Sequence, residues 1–150
     1  MAESHQLGVS ACESLLRSHQ VGRVAVSTPA GPHIVPVNYA LIEDAVIIRT
    51  SAYGVLGTYG RSATLALEID GLDHEQARGW SVQVRGRWVA VEDHREIARL
   101  REAVQSPPWA SGSRSLYLRL QLDELSGRQL GAGWNPTDGV MSHDKAQGSE

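Results

Sequence analysis

The chain has 150 residues, of which 41% are hydrophobic and 21% are charged, and its formal net charge is −3 at pH 7. This length is typical of one domain with its own hydrophobic core, and the slightly acidic balance argues against nucleic acid as a partner. No apolar run approaches the roughly 20 residues that span a bilayer, the first residues show no secretory pattern, and Cys12 is the only cysteine, so we expect a cytoplasmic protein without a membrane segment.

The first 50 residues predict a short helix followed by three antiparallel strands. Ser10 and Glu13 have the spacing of a capping box, which predicts a helix over residues 11–18. Alternating or continuous apolar residues separated by turn residues predict strands at residues 21–26, 33–41 and 45–50. Pro36 cannot donate a hydrogen bond to a ladder, so we expect a sheet edge or a bulge at that point.

The rest of the chain adds three more strands and a second helix. Residues 51–61 contain three glycines and lack strand alternation, which predicts a loop or a short, poorly formed helix. Strands are predicted at residues 63–70, 79–91 and 116–122. Gly86 suggests a bend in the longest of them. A helix is expected over residues 93–104 because its apolar residues are spaced three and four apart.

These elements predict a mainly β protein with flanking helices. One helix precedes the strands and one lies between the fifth and the sixth, an order that favours an antiparallel sheet over βαβ units. A six-stranded antiparallel barrel, closed or split, is the expected packing because it removes exposed edges. We expect one domain over residues 1–131. Residues 132–150 have few apolar anchors and are predicted to form a disordered tail.

The sequence predicts neither a metal site nor a catalytic side chain. The six histidines are scattered, and none has the helical spacing of a metal-binding pair. Residues 79–83 depart from the hydrolase nucleophile elbow at the last position. Glu68 and Asp70 share one face of a strand, where a solvated face or pairing with Arg85 or Arg87 is preferred over an acid and base pair.

Several segments, taken in their order, resemble the pyridoxamine 5′-phosphate oxidase-like superfamily of flavin-binding split barrels. They lie at residues 21–26, 35–39, 48–50, 68–70, 79–86 and 126–128. Their spacing is similar to that of the branch related to nitroimidazole reductases, and the resemblance covers roughly residues 7–130. It implies a split barrel that forms a homodimer.

The resemblance also implies two flavin mononucleotide (FMN) sites at the dimer interface. It assigns the cofactor to Pro36, Val37, Asn38, Arg49, Thr50, Ser51 and Trp109. The backbone around Pro36 would face the isoalloxazine ring, residues 49–51 would hold the phosphate, and Trp109 would come from the partner subunit. A guanidinium with adjacent hydroxyls suits a phosphate. A deazaflavin or a haem stays open as an alternative cofactor.

The resemblance predicts an FMN-dependent oxidoreductase that reduces or oxidises a small organic substrate at the dimer interface. The alternative is a non-catalytic carrier of a flavin, a deazaflavin or a haem on the same fold. Many relatives place a lysine in the loop after the third strand, where this chain has Val55. A lost charge-assisted hydrogen bond to the phosphate would cost about 1.5–3 kcal/mol.

Overall fold

The structure, a computed structural model, describes residues 4–104, 114–122 and 124–138. Its strands are β1 (Ser4–Gln6), β2 (Val21–Thr28), β3 (Gly31–Ile42), β4 (Ala45–Thr50), β5 (Thr64–Asp73), β6 (Arg78–Ala90), β7 (Leu116–Gln121) and β8 (Glu124–Leu130). Its helices are α1 (Val9–Ser18), α2 (Val55–Tyr59) and α3 (His94–Ala103). None of the helices in these ranges is long and apolar enough to cross a membrane.

Six of the strands close into a barrel. Around the ring, β6, β5, β2, β3, β4 and β7 pair in that order, and β7 returns to pair with the end of β6. All of these pairings are antiparallel. They are the six strands expected from alternation, so the predicted six-stranded antiparallel barrel is confirmed.

Two strands that the sequence did not predict extend the sheet outside the ring. β8 pairs with the first half of β6, as far as Arg85, and β1 pairs with β8. From Trp88 onwards, β6 pairs with β7 instead. Gly86 lies at this change of partner, where a Cβ atom would come within 2.7 Å of Leu120 Cδ1. The residue therefore allows β6 to pass closely over β7.

The barrel interior is filled by apolar side chains from every strand of the ring, with Trp88 as the largest fully buried one. α1 adds Cys12, Leu15 and Leu16 to the same cluster. The Tyr39 hydroxyl donates to the Leu16 carbonyl oxygen at 2.7 Å, which ties α1 to β3. Burial raises the pKa of the Tyr39 phenol and, less strongly, that of the Cys12 thiol.

The predicted capping box at Ser10 is wrong. α1 begins one residue earlier than Ser10, at Val9, and its N-cap is Gly8, which provides no side-chain hydrogen bond. The preceding residue, Leu7, donates its backbone N–H to Gly127 O at 2.9 Å. Because this long-range backbone pairing fixes where the chain enters the helix, it overrides the local capping signal.

α3 packs on the outside of the barrel. The second apolar cluster joins residues of α3 and its flanks to the outer face of β4 and β7, and consists of Ala45, Ile47, Val91, Leu100, Val104 and Tyr117. Asp93 caps the helix by accepting hydrogen bonds from Arg95 N and Glu96 N at 2.8 and 3.4 Å. The helix thus covers the outer face of β4 and β7, and Arg49 lies near the end of β4.

The first residues of the predicted tail contact the sheet. Trp134 Nε1 donates to Leu130 O at 2.9 Å, and the Arg78 guanidinium carbon lies 4.8 Å from the centroid of the Trp134 ring. Residues 139–150 lie outside the described residues.

Candidate functional site

A gap in strand pairing opens between β3 and β4, and we call this gap, bounded by residues 36–38 and 49–51, the seam. β3 and β4 pair only between residues 39–42 and 45–48. The earlier residues of β3 pair with β2 alone. Pro36 therefore has a ladder partner on one side, Arg23, and an open edge on the other. The edge position predicted for Pro36 is confirmed.

The register decides which seam side chains face outwards. Tyr39 and Ile48 are the last partners of this ladder and both are buried in the barrel, so the next residues on the two strands, Asn38 and Arg49, face the outside. One residue further, Val37 and Thr50 are only 4% and 8% exposed. For these two residues, the backbone is the part available to a ligand.

Arg49 is held in place without a carboxylate partner. Its Nε donates to Arg114 O at 2.7 Å, and its guanidinium carbon lies 5.6 Å from the centroid of the Tyr117 ring. The ion pairs within the described part of the chain involve other arginines. The terminal nitrogens of Arg49 are thus oriented by neutral contacts, which suits them to bind an anion from outside the chain.

The loop after β4 is fixed by close backbone contacts. Ser51 O accepts from Gly54 N at 3.3 Å, and Ser51 Oγ accepts from Tyr53 N at 3.3 Å. A Cβ atom on Gly57 would lie 2.4 Å from Ser51 O and 2.3 Å from Ala52 O. Only glycine allows α2 to pack this closely on the loop, so Gly57 helps to position Ser51 at the seam.

Two buried donors near the seam lack a partner among the described residues. They are Arg114 Nε and the Tyr117 hydroxyl. Tyr117 pairs with Arg49 across β4 and β7, and Arg114 holds Arg49 through its carbonyl oxygen. The sequence prediction did not include Tyr117, although it is a polar-tipped ring among the leucines of β7. An unpaired buried donor beside a guanidinium without a carboxylate fits a site for a phosphorylated ligand.

The predicted residues are only partly accounted for at the seam. Residues 36–38 and 49–51 flank the point where the pairing of β3 with β4 ends, and the ladder does not pair them with each other. Trp109 lies outside the described residues. Among those residues there is no group of three or more His, Cys, Asp or Glu side chains that could hold a metal ion.

The predicted partners of Glu68 and Asp70 are wrong. Arg23, on the neighbouring β2, binds both, with Nε 3.3 Å from Glu68 Oε2 and Nη2 2.8 Å from Asp70 Oδ1. Arg85 instead pairs with Glu124. The reason is the register, because Glu68 lies opposite Arg23 on one side and an uncharged glutamine on the other. Desolvation is the main cause that raises the pKa of Glu68, opposed by its hydrogen bond from Arg23.

A separate cleft of about 390 Å³ lies between α3 and the turn that joins β3 to β4. Acidic and basic side chains both line it, and two of these, Glu96 and Arg119, form an ion pair with each other. The cleft includes none of the seam residues, so it is a different surface from the predicted cofactor site.

Comparison with known proteins gives a consistent family assignment. Residues 9–129 match the family model described as pyridoxamine 5′-phosphate oxidase. An uncharacterized protein of Mycobacterium tuberculosis is 30% identical over 121 residues, which cover 77% of this chain and 78% of that protein.

Solved structures agree with the fold. An FAD binding protein from Mycobacterium smegmatis has 27% identity and a TM-score of 0.69, covering 83% of this chain and 96% of that chain. An FAD-binding protein from Mesorhizobium loti has a TM-score of 0.76 over 87% of this chain and 99% of that chain. The latter is 20% identical, so its likeness concerns the fold alone.

Proposed function

The chain belongs to the pyridoxamine 5′-phosphate oxidase family, and we propose that its seam binds a phosphorylated flavin, FMN, for redox chemistry on a small organic substrate. The observation that carries the proposal is Arg49, a partly buried arginine oriented by a carbonyl oxygen and an aromatic ring, with no carboxylate to neutralise it among the residues described. Such a guanidinium can donate two parallel hydrogen bonds to phosphate oxygens.

The remaining seam residues suit the other parts of the cofactor. Ser51, whose loop is fixed by Gly57, can add a neutral hydroxyl donor to the phosphate. Pro36 and Asn38 lie on the outer face of β3, where the missing ladder leaves room for a planar ring against the backbone. The phosphate would then lie at the end of β4 and the ring along β3.

A second copy of the chain is the proposed cover for this site. Ile34, two residues before Pro36 on the same face of β3, is 73% exposed, and Val21, the β2 partner of Asn38, is also exposed. Apolar side chains next to a ligand site are typical of a surface that another subunit covers. We therefore propose a homodimer with the substrate site at its interface.

The bound flavin would supply the hydride or electron transfer, so the protein needs no acid or base of its own. Arg49 would bind the phosphate and fix the position of the ring. The β3 backbone would orient one face of the ring, and the partner subunit would exclude water from the other. These tasks of binding, orientation and exclusion are the ones that the geometry of the seam supports.

Direct titration tests the proposal. FMN, FAD and riboflavin are added to the purified protein, and quenching of flavin fluorescence reports binding, while native mass spectrometry gives the mass of the complex. We expect FMN to bind more tightly than riboflavin, with two FMN molecules per dimer. If none of the three flavins binds at micromolar concentrations, the proposal is wrong.

A matched pair of variants localises the binding. Arg49→Gln removes the charge at the seam, whereas Arg87→Gln removes an exposed charge on β6. We expect Arg49→Gln to weaken FMN binding about 10- to 100-fold, the equivalent of one charge-assisted hydrogen bond. Arg87→Gln should leave it unchanged. Equal losses in the two variants would mean that FMN binds elsewhere.

A non-catalytic carrier of a flavin, a deazaflavin or a haem is the second candidate. It is favoured by Val55, an apolar residue at the position where the resemblance expects a lysine. Stopped-flow spectroscopy separates the two functions, because an oxidoreductase reduces its bound flavin with a nicotinamide nucleotide and reoxidises it with a substrate such as a nitro compound. A flavin that stays oxidised with every donor would support the carrier.

A further inference from the structure

Three charged side chains meet on the outer face of the sheet, and we call them the triad: Arg23 on β2, and Glu68 and Asp70 on β5. The Arg23 guanidinium contacts both carboxylates, with Nε 3.3 Å from Glu68 Oε2, Nη2 3.4 Å from Glu68 Oε1 and Nη2 2.8 Å from Asp70 Oδ1. Arg78 and Arg85, by contrast, each pair with a single carboxylate. The triad therefore carries one negative charge more than its arginine can neutralise.

Among the described residues, the ladder positions next to the triad are uncharged. Its neighbours are Gln83 and Ser81 on β6 and Pro36 on β3. Arg85, one row further along β6, binds a carboxylate of β8, and Arg128 lies on β8 beyond Ser81. The side chains of the triad are between 36% and 41% exposed, so water can solvate the extra negative charge in the single chain.

The triad lies within the apolar surface that we propose a second copy covers. Val21 and Ala25 flank Arg23 on the same face of β2, and Ile34 is the β3 partner of Ala25. Val21 is 52% exposed and Ile34 is 73% exposed. His33, which precedes Ile34, faces the opposite side of β3 because successive side chains of a strand alternate. A second copy that covers these apolar side chains therefore also covers the triad.

Burial of the triad between two copies is unfavourable while both carboxylates are ionised. A twofold interface brings the same patch of both subunits together, so it buries the extra negative charge twice and this patch supplies no further cation. An ionised carboxylate that loses water without gaining a partner takes up a proton instead. Desolvation is already the main cause that raises the pKa of Glu68 in the single chain, where its hydrogen bond from Arg23 lowers the pKa and the nearby Asp70 raises it.

We propose that each subunit takes up one proton at the Glu68 and Asp70 carboxylates when the dimer forms, so that a fall in pH favours the dimer. This inference rests on the proposed function and adds a regulation of the same site, because the second copy covers the seam. The proton comes from the solvent, and it leaves one neutral carboxyl group and one carboxylate bound to Arg23, so the buried triad has no net charge.

The direction of the pH effect follows from the number of bound protons. The dimer binds more protons than two separate chains, so its formation becomes more favourable as the pH falls through the pKa of the buried carboxylate pair. The gain levels off below the pKa of the exposed pair, where the single chains are protonated as well.

The dissociation constant of the apoprotein dimer tests the proposal. Analytical ultracentrifugation with fluorescence detection measures it from about pH 8 to about pH 5, and we expect it to fall at least about 10-fold over this range. Glu68→Gln and Asp70→Asn each remove one negative charge with little change of shape. Both should dimerise more tightly than the wild type at the higher pH and lose most of the pH dependence.

Glu124→Gln is the matched control. It removes an equal charge from the outer face of the same sheet, but at a carboxylate that has its own arginine, Arg85. We expect it to keep the pH response of the wild type. A dimer too tight for dilution is compared by the rate at which labelled and unlabelled subunits exchange, which should be slower at the lower pH in the wild type and in Glu124→Gln.

The outcomes separate this inference from the dimer on which it rests. A wild-type dimer whose dissociation constant stays constant or rises as the pH falls would overturn the inference, because the covered triad then needs no proton. An equal response in Glu68→Gln, Asp70→Asn and Glu124→Gln would also overturn it, since the loss of overall charge would then drive association. A wild type that stays monomeric at every pH contradicts the proposed homodimer itself, and this inference with it.

Discussion

The barrel interior and the seam differ in the chemistry of their side chains. Inside the barrel, side chains from all six strands of the ring are apolar, and most are fully buried. At the seam, the ladder between β3 and β4 stops, and Arg49 lacks a carboxylate partner among the described residues. Among the described residues, the interior has one buried donor without a partner, Trp88 Nε1, and the residues that contact Arg49 have two, Arg114 Nε and the Tyr117 hydroxyl.

This contrast separates stability from binding. Burial of apolar surface provides most of the free energy of folding, so the interior can stabilise the fold without help from the seam. The seam can then hold charged groups in positions that are unfavourable in the empty protein and favourable when an anion is bound. Substitutions in the interior should therefore change the stability and leave FMN binding largely intact, and substitutions at the seam should do the reverse.

The largest expected effect is on the interior. Leu67 is 0% exposed, and Leu67→Ala should lower the free energy of unfolding by about 2–5 kcal/mol through lost burial and a cavity. The control is Leu72→Ala on the same strand, where the side chain is 66% exposed and the change should stay within about 0.5 kcal/mol. Urea denaturation measures both. The FMN affinity of folded Leu67→Ala should equal that of the wild type, and a parallel loss would mean that the two regions are coupled.

A smaller effect is expected from adding charge at the seam. Val55→Lys places a cation in the loop after β4 and should tighten FMN binding by about 1.5–3 kcal/mol. Val55 packs partly against the core, so Val55→Gln is the control for lost packing. The difference in FMN affinity between the lysine and glutamine variants isolates the charge. If both variants bind FMN equally, the loop does not reach the phosphate.

The sequence predicted the barrel because inward and outward alternation is a local pattern. The six strands of the ring contain alternating or continuous apolar residues that can be recognised without their partners. β8 was missed because its inward position at Gly127 has no side chain, and a Cβ atom there would lie 2.6 Å from Cys12 Sγ. The sequence of β8 alone does not show that α1 fills the space next to Gly127 in the folded protein.

The seam was predicted only in part, for a related reason. Pro36 has a local signal, since it cannot donate to a ladder, and Arg49 was assigned by resemblance. The contact between Arg49 and Arg114 joins residues 65 positions apart and depends on the register of β4 with β7. The same limit explains why Glu68 was assigned the wrong arginine, since its partner is decided by the alignment of β2 with β5.

The smallest expected effect is that of substitutions at Tyr117. It shows whether this residue acts only in the cluster under α3 or also at the seam. Its ring is 1% exposed in the cluster beneath α3, yet its hydroxyl lacks a partner among the described residues and its face lies below Arg49. Tyr117→Phe keeps the ring and removes the unsatisfied hydroxyl, so stability should stay equal or rise by up to about 1 kcal/mol. Tyr117→Leu, which also removes the ring below Arg49, should weaken FMN binding, while Tyr117→Phe should not. Thermal denaturation and FMN titration of the two variants measure these effects. If Tyr117→Phe alone weakens FMN binding, the hydroxyl is a donor to the ligand, and the seam extends beneath Arg49 into the cluster under α3.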